Sequence, residues 1–193
     1  MGQRDDLLAG AKKCLVEKGY SRTTARDVAA VSGANLASIG YHFGSKDNLM
    51  SLATLELVSE WGDTIEAAVH AARAADPAAR LERLLDTLFA DVRADRSLQV
   101  ASIQAYAQAL FVPDIRDRLA RDVGIGRREL AAMALGVEPD RVDEETARGL
   151  GATLHAMIVG FVVQALLDPD SAPTGAEVVG ALRAVTRDAP TAG

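Results

Sequence analysis

Four hydrogen-bonding side chains lie close together in the stretch NLASIGYH, residues 35–42. They belong to Asn35, Ser38, Tyr41 and His42. An amide can pair with the edge of an adenine, and a hydroxyl can donate or accept at a base edge in the major groove of DNA. If the stretch is helical, Ile39 and Phe43 fall four residues apart and face inward, which leaves the polar side chains on the opposite and flanking sides. The spacing indicates a surface that could contact base edges.

Other residues near this stretch could contact DNA in different ways. Leu36 offers an aliphatic group for a thymine methyl. Lys46 stands in the first turn of a following helix and Thr24 starts a preceding one, so both lie beside free backbone N–H groups that favour a phosphate. Such contacts set orientation and affinity, whereas base contacts set the sequence preference.

Local signals place these residues on short helices. The predicted helices run from about Arg4 to Lys18, from Thr24 onward, from Asn35 to about Phe43, and onward from a cap at Ser45. Thr24 and Asp27 have the spacing of a capping box, and Gly33 lies in a three-residue turn between the second and third helices. Helix, short turn and helix is the arrangement in which the second helix enters the major groove. Gly40 costs roughly 1 kcal/mol of helix stability relative to alanine, which predicts close approach of another backbone.

The remainder of the chain also has helical periodicity and no sustained strand alternation. Further helices are predicted at about Pro77–Ala94, Ser97–Phe111, Pro113–Gly136, Glu144–Leu167 and Ala176–Arg187. The fold class is therefore all-α, with a small three-helix head joined by the fourth helix to a larger helical domain. We place the boundary between residues 1–50 and 51–193.

Charge is distributed unevenly along the 193 residues. The net charge is −6, yet residues 1–50 hold seven basic against five acidic side chains. A mildly basic head on an acidic body is compatible with a nucleic-acid partner. The single cysteine, Cys14, cannot form an internal disulfide, and the start of the chain lacks the pattern of an export signal. We therefore expect a cytoplasmic protein.

Residues 149–167, GLGATLHAMIVGFVVQALL, contain no charge and are long enough to raise the possibility of a membrane span. His155, Gln164 and three glycines, without a basic cluster at either end, argue against it. A helix that is apolar nearly all round needs cover on both sides. We expect a homodimer in which this helix and the last one form a four-helix contact with a second copy.

Several large side chains in the body could line a pocket for an apolar small molecule. They are Trp61, Phe89, Tyr106, Phe111, Met133, His155, Phe161 and Gln164. Each aromatic or methionine could equally be plain core. His155 and Gln164 are polar groups on an apolar helix, so each needs a partner, which could be protein or ligand.

Signals for catalysis, cofactors and metals are absent or incomplete. GIGRRE and GLGATL lack the third glycine and the preceding strand of a nucleotide loop. Three scattered histidines do not form a zinc motif, and no nucleophile is paired with a base. Two alternatives stay open: a helical carrier or sensor whose head contacts another protein, and an all-helical enzyme.

The run GYSRTTARDVAAVSGANLASIGYHFGSKDNL, residues 19–49, resembles the DNA-binding head of the TetR family of bacterial transcriptional regulators. The resemblance implies that Thr24, Asn35, Ser38, Tyr41, His42 and Lys46 lie at the DNA, with Leu36 and Ala37 as possible base contacts. It also implies a ligand-binding and dimerisation body. We therefore expect a homodimeric repressor that leaves a pseudo-palindromic operator when a small-molecule effector binds. Gly40 and Gly44 depart from the family pattern, where a bulkier residue and proline are frequent.

Overall fold

A computed structural model describes residues 2–71, 76–94 and 96–187, and this part of the chain is helical without a strand. Its helices are α1 (Gln3–Lys18), α2 (Ala25–Ser32), α3 (Ala37–Phe43), α4 (Lys46–Ala71), α5 (Pro77–Ala94), α6 (Arg96–Ala109), α7 (Pro113–Leu135), α8 (Glu144–Thr146), α9 (Ala152–Leu167) and α10 (Gly175–Arg187). Short 3₁₀ turns occupy Pro139–Arg141 and Pro169–Ser171. The all-α prediction is confirmed.

Contacts group the described residues into two compact units. The first unit draws on residues 1–63 and 95–123, and the second on 64–94 and 124–193. The predicted boundary after residue 50 lies inside the first unit, because α1 packs against α6 as well as against α2 and α3. The division into a head of residues 1–50 and a body of residues 51–193 stays a prediction.

The first unit has one apolar core beneath the short helices. Leu7, Cys14, Val28 and Leu49 are completely buried, together with Ile39 and Phe43 of α3, which are 3% and 7% exposed. Both α3 residues therefore face inward, as their spacing predicts. Because the two anchors lie one turn apart, they fix the rotation of α3 about its axis and so decide which of its residues face solvent.

The second unit packs α5 against α9 and α10. Leu85, Phe89 and Val178 form a buried cluster, against which Met157 and Phe161 pack. The start of α10 is fixed by the Gly175 N–H, which donates to Asp86 Oδ1 at 2.7 Å. A second cluster joins the end of α7 to the residues that follow it.

The helix predicted as one run from Glu144 to Leu167 is interrupted in the structure. Residues Ala147–Gly151 form a π-helical segment between α8 and α9. At this point a Cβ atom on Gly151 would lie 2.1 Å from the carbonyl oxygen of Arg127 in α7. The tight contact between backbones depends on a residue distant in sequence, which is why local periodicity did not predict the interruption.

Two further expectations concern Gly40 and the apolar helix. The predicted close approach at Gly40 is wrong for the described chain, because a Cβ there would meet no atom within 4 Å. Glu144–Leu167 is the one described helix long and apolar enough to cross a membrane by length and composition, and 22% of its apolar window is buried. Such a single helix is weak evidence for a membrane span and equally fits an apolar surface that needs a protein partner.

Candidate nucleic-acid interface

The start of α2 is fixed by a capping box formed by Thr24 and Asp27, as predicted. The Asp27 N–H donates to Thr24 Oγ1 at 3.2 Å, and the Thr24 N–H donates to Asp27 Oδ2 at 2.8 Å. Lys18 Nζ also donates to Asp27 at 2.6 Å. The Lys18 hydrogen bond, followed by those of Thr24, lowers the pKa of Asp27 well below its usual range. Thr24 itself is exposed, but its hydroxyl also donates to Asp27 Oδ2 at 2.7 Å, so a contact to phosphate would require the hydroxyl to exchange that partner.

Helix α3 presents an exposed side that bears most of the predicted base-contacting residues. Tyr41 is 86% exposed and Leu36 is 44% exposed. Asn35 and Ala37 are also exposed, whereas Ser38 is half-buried. Because Ile39 and Phe43 anchor the inner side, these side chains are available to an external partner.

The side-chain amide of Asn35 offers an acceptor and a donor at the start of α3. Its Oδ1 accepts a hydrogen bond from the N–H of Ala37, the first residue of α3, at 3.0 Å. The N-cap position itself is Leu36, one residue after the predicted cap at Asn35. The Nδ2 group is a donor on an exposed residue. The paired amide contact to adenine uses both groups, and here the oxygen is already shared with the backbone. Asn35 is therefore better suited to donating to a base acceptor.

Lys46 holds the beginnings of two helices together. Its Nζ donates to the Thr23 carbonyl at 3.3 Å, pairs with Asp47 at 3.1 Å and lies 5.6 Å from the centre of the Tyr20 ring. The side chain keeps 28% exposure. Since Thr23 precedes Thr24, the ammonium group lies near the start of α2, so the two residues predicted to bind phosphate are neighbours.

His42 lies at the end of α3 between two aromatic neighbours. It is half-buried, with ring centres 4.9 Å from Tyr41 and 6.3 Å from Phe43. His42 also lines a groove together with Arg4, Arg118 and Arg121. Sequence reasoning missed these arginines, because α1 and α7 contribute them from distant parts of the chain.

The predicted pocket residues are distributed over both units. In the second unit Phe89 and Met133 are buried, Phe89 and Phe161 contact edge to face at 5.2 Å, and Gln164 is exposed. His155 is half-buried, and burial, with a smaller effect of Arg127, lowers the pKa of its imidazole.

In the first unit Tyr106 is half-buried, and Phe111 is 81% exposed at the end of α6. Trp61 belongs to α4, and its side chain lies outside the described residues. The assignment of these residues to one pocket stays a prediction. No group of three or more metal-ligating side chains occurs among the residues that the structure describes.

A helix-turn-helix with an exposed second helix, joined to further helices, defines a DNA-binding regulator. Residues 7–53 match the model of bacterial regulatory proteins of the tetR family, and residues 77–189 match the C-terminal domain of BetI-type transcriptional repressors. The chain belongs to the tetR family. It is a ligand-responsive DNA-binding transcriptional regulator of the repressor type and not an enzyme.

Individual relatives agree with this assignment. The chain is 26% identical to the HTH-type transcriptional regulator TtgR of Pseudomonas putida, over 87% of this chain and 82% of that one. It is 38% identical to the HTH-type transcriptional repressor AcnR of Corynebacterium glutamicum, over 31% of this chain and 35% of that one. The structure of the multidrug binding protein EbrR complexed with imidazole superposes with a TM-score of 0.63 at 27% identity, covering 97% and 99% of the two chains.

Proposed function

We propose that α3 is the reading helix and that its exposed side contacts the bases of an operator. The observation that carries this proposal is the inward anchoring of Ile39 and Phe43, which leaves Tyr41 and Leu36 exposed. Asn35 and Ser38 then discriminate between bases, and Leu36 and Ala37 contact methyl groups. Thr24, Tyr41, His42 and Lys46 contact the phosphate backbone and set the register.

The same proposal assigns the dimer contact to α9 and α10. An open apolar groove of about 620 Å³ runs along these two helices and is lined by Met157, Phe161, Val178 and Leu182. Val185 and Leu167 are 83% and 82% exposed on the same two helices. A second copy that covers these apolar groups would remove them from water, which supports a symmetric four-helix contact.

Two reading helices in a symmetric dimer would meet a pseudo-palindromic operator in successive major grooves, roughly 34 Å apart. A small molecule that favours a different subunit arrangement would lower operator affinity by linkage. We expect the apolar side chains predicted for the pocket, such as Phe89 and Phe161, to contact this effector, and α4 to transmit the change. The cytoplasm is the expected location for a protein that acts on the genome.

Recovery of bound sites from random genomic fragments tests the proposal most directly. The full-length protein should enrich one or a few fragments that share a pseudo-palindrome. The Tyr41→Ala variant should bind the enriched duplex at least about tenfold more weakly, since a decrease of 1.4 kcal/mol in binding free energy corresponds to that factor. Tyr41 is exposed, so the variant should fold normally.

The control is Leu110→Ala, another exposed large apolar side chain of the first unit, outside both the proposed interface and the predicted pocket. Its operator affinity should be unchanged. The absence of any enriched sequence, or equal weakening by both variants, would refute α3 as the reading element.

A further inference from the structure

The groove that His42 lines in the first unit has a different chemistry from the proposed DNA-reading surface. It encloses about 500 Å³ and is contributed by α1, the end of α3, α4 and α7. Three guanidinium groups line it, from Arg4, Arg118 and Arg121. Its apolar lining comes from Phe43, Leu52 and Ile115, of which Ile115 is 1% exposed. The groove thus combines cationic and apolar surfaces.

The arginines retain donors for an anion. Arg4 lies with its guanidinium carbon 5.3 Å from the centre of the Phe43 ring, and neither it nor Arg121 has a carboxylate partner among the described residues. Arg118 uses its Nε to bind both carboxylate oxygens of Asp122, at 2.8 and 3.1 Å. Since a guanidinium carries five N–H donors, its terminal nitrogens keep donor capacity.

The negative charges nearby are fewer than the positive ones. Asp114 also lines the groove, and Asp122 is the partner of Arg118. One carboxylate therefore lines the groove beside three guanidinium groups, and a second pairs with Arg118, so the local charge favours an anion. Guanidinium groups bind carboxylates and phosphates by paired hydrogen bonds.

Asn48 contributes an amide with a fixed orientation to the wall of the groove. Its Nδ2 donates to the Phe43 carbonyl at 3.1 Å, which fixes the orientation of the amide. Its Oδ1 is buried and has no hydrogen-bond partner in the part of the chain that the structure describes. Other atoms of Asn48 line the groove, whereas this oxygen is closed off from it.

We propose that this groove binds a small organic anion. Its carboxylate contacts Arg4, Arg118 and Arg121, and its apolar body packs on Phe43, Leu52 and Ile115. The concave apolar lining favours such a molecule over the backbone of a DNA duplex, whose phosphates lie on a convex polar surface. His42 lines the same groove and is proposed above to contact DNA. Occupancy therefore couples to operator affinity, a consequence that rests on the proposed function.

Titration of the full-length protein with 4-hydroxybenzoate tests binding without DNA. Two-dimensional NMR follows the Nε–H resonances of the arginines and the side-chain amide of Asn48. We expect saturable shifts of these resonances with a Kd of about 1 mM, the affinity typical of a ligand of this size. The neutral analogue 4-hydroxybenzamide should bind about tenfold more weakly, because it lacks the charge.

Two arginine variants of α7 show whether binding depends on the groove or only on the positive charge of the helix. Arg121→Gln should weaken 4-hydroxybenzoate binding about tenfold. Arg116→Gln removes the same charge from α7 at a position outside the groove, where the arginine is paired with Asp117, and should leave binding unchanged. Absence of saturable shifts, equal binding of the amide, or equal effects of the two variants would overturn the proposal.

Titration with a DNA duplex of random sequence shows whether the groove binds the phosphates of DNA instead of a small organic anion. If the duplex shifts the Arg121 resonance while 4-hydroxybenzoate does not, the groove binds backbone phosphate and the small-molecule proposal is wrong. Operator affinity measured with and without 4-hydroxybenzoate tests the coupling. Failure to form an operator complex in every condition, with 4-hydroxybenzoate binding intact, would contradict the proposed function and leave the anion site standing.

Discussion

Gly151 lies directly against the backbone of Arg127: a Cβ atom on this glycine would be 2.1 Å from the Arg127 carbonyl oxygen. This distance is far inside van der Waals contact, so only glycine fits without movement of one helix. The contact joins the π-helical segment to α7 within the second unit. It identifies one residue on which the packing of these helices depends.

Gly151→Ala should therefore lower the free energy of unfolding by about 1 to 3 kcal/mol, the usual cost of adding a methyl group to a packed interior. Gly126→Ala in α7 is the matched control, because a Cβ there would meet no atom within 4 Å. The control should be neutral or stabilising by up to about 1 kcal/mol. Chemical denaturation of both variants measures the difference, and equal stabilities would contradict the close packing at Gly151.

Lys46→Ala should weaken binding to all duplexes by a similar factor, because its proposed contact is to a phosphate. The slope of log affinity against log salt should fall by about 0.9 for each phosphate that is no longer neutralised, hence roughly twice that for a dimer. Lys13→Ala, which removes a 63% exposed lysine of α1, is the control and should leave the slope unchanged. A changed sequence preference in Lys46→Ala would argue against a phosphate contact.

Asn35→Ser should alter which base is preferred at one position of each half-site. Serine can still accept the Ala37 N–H hydrogen bond, but it lacks the Nδ2 donor, so the substitution separates capping from base contact. Removal of one good base contact corresponds to about 1 to 3 kcal/mol of discrimination. Affinities for a set of single-base operator variants provide the measurement. Unchanged discrimination would remove Asn35 from the base-contacting residues.

Val185→Asp should shift the protein from dimer to monomer, because a carboxylate would be buried without a partner in the proposed contact. Val185 is 83% exposed in the single chain, so the folded subunit itself should tolerate the change. Val16→Asp places the same charge on α1, at a valine that is 68% exposed, and should leave the dimer intact. Sedimentation velocity distinguishes the two results, and a dimeric Val185→Asp variant would refute the assignment to α10.

His155 should make the stability of the protein depend on pH on the acid side. Burial, aided by Arg127, lowers the pKa of its imidazole below the ordinary value of 6.5. The unfolded chain then binds a proton more readily than the folded one. Above about pH 6.5 the imidazole is neutral in both states, and His155 does not make stability depend on pH. Below this pH, proton binding to the unfolded chain lowers the free energy of unfolding. His155→Gln should show a smaller loss of stability between about pH 7 and pH 5. Identical pH profiles would mean that the folded-state pKa is not lowered.

The sequence predicted those features that depend on neighbouring residues. Thr24 and Asp27 form a capping box because their spacing alone brings the two side chains to the same helix end. Ile39 and Phe43 are buried because residues four apart share one side of a helix. Gly33 adopts a positive φ of 68° at the end of α2, where a left-handed residue is required.

Features that depend on residues distant in sequence were missed. Arg4, Arg118 and Arg121 meet in one groove only after helices from distant parts of the chain have packed together. The contact between Gly151 and Arg127 likewise arises from packing between helices, and no local pattern signals it. Side-chain hydrogen bonding is also only partly predictable: the sequence predicts that Asn35 caps α3, but the resulting restriction on its base contacts requires the observed geometry.

The π-helical segment has a consequence for changes in the length of the chain. A π turn holds one more residue than an α turn, so deletion of one residue within Ala147–Gly151 would let the segment close as an ordinary α turn and leave the residues beyond it facing as they do now. Val163 and Leu167 would keep their directions, and the proposed pairing of two chains would keep its geometry. The same deletion inside α9 would instead rotate the rest of that helix by about 100°, so this irregularity is the place where a single-codon length change should be tolerated.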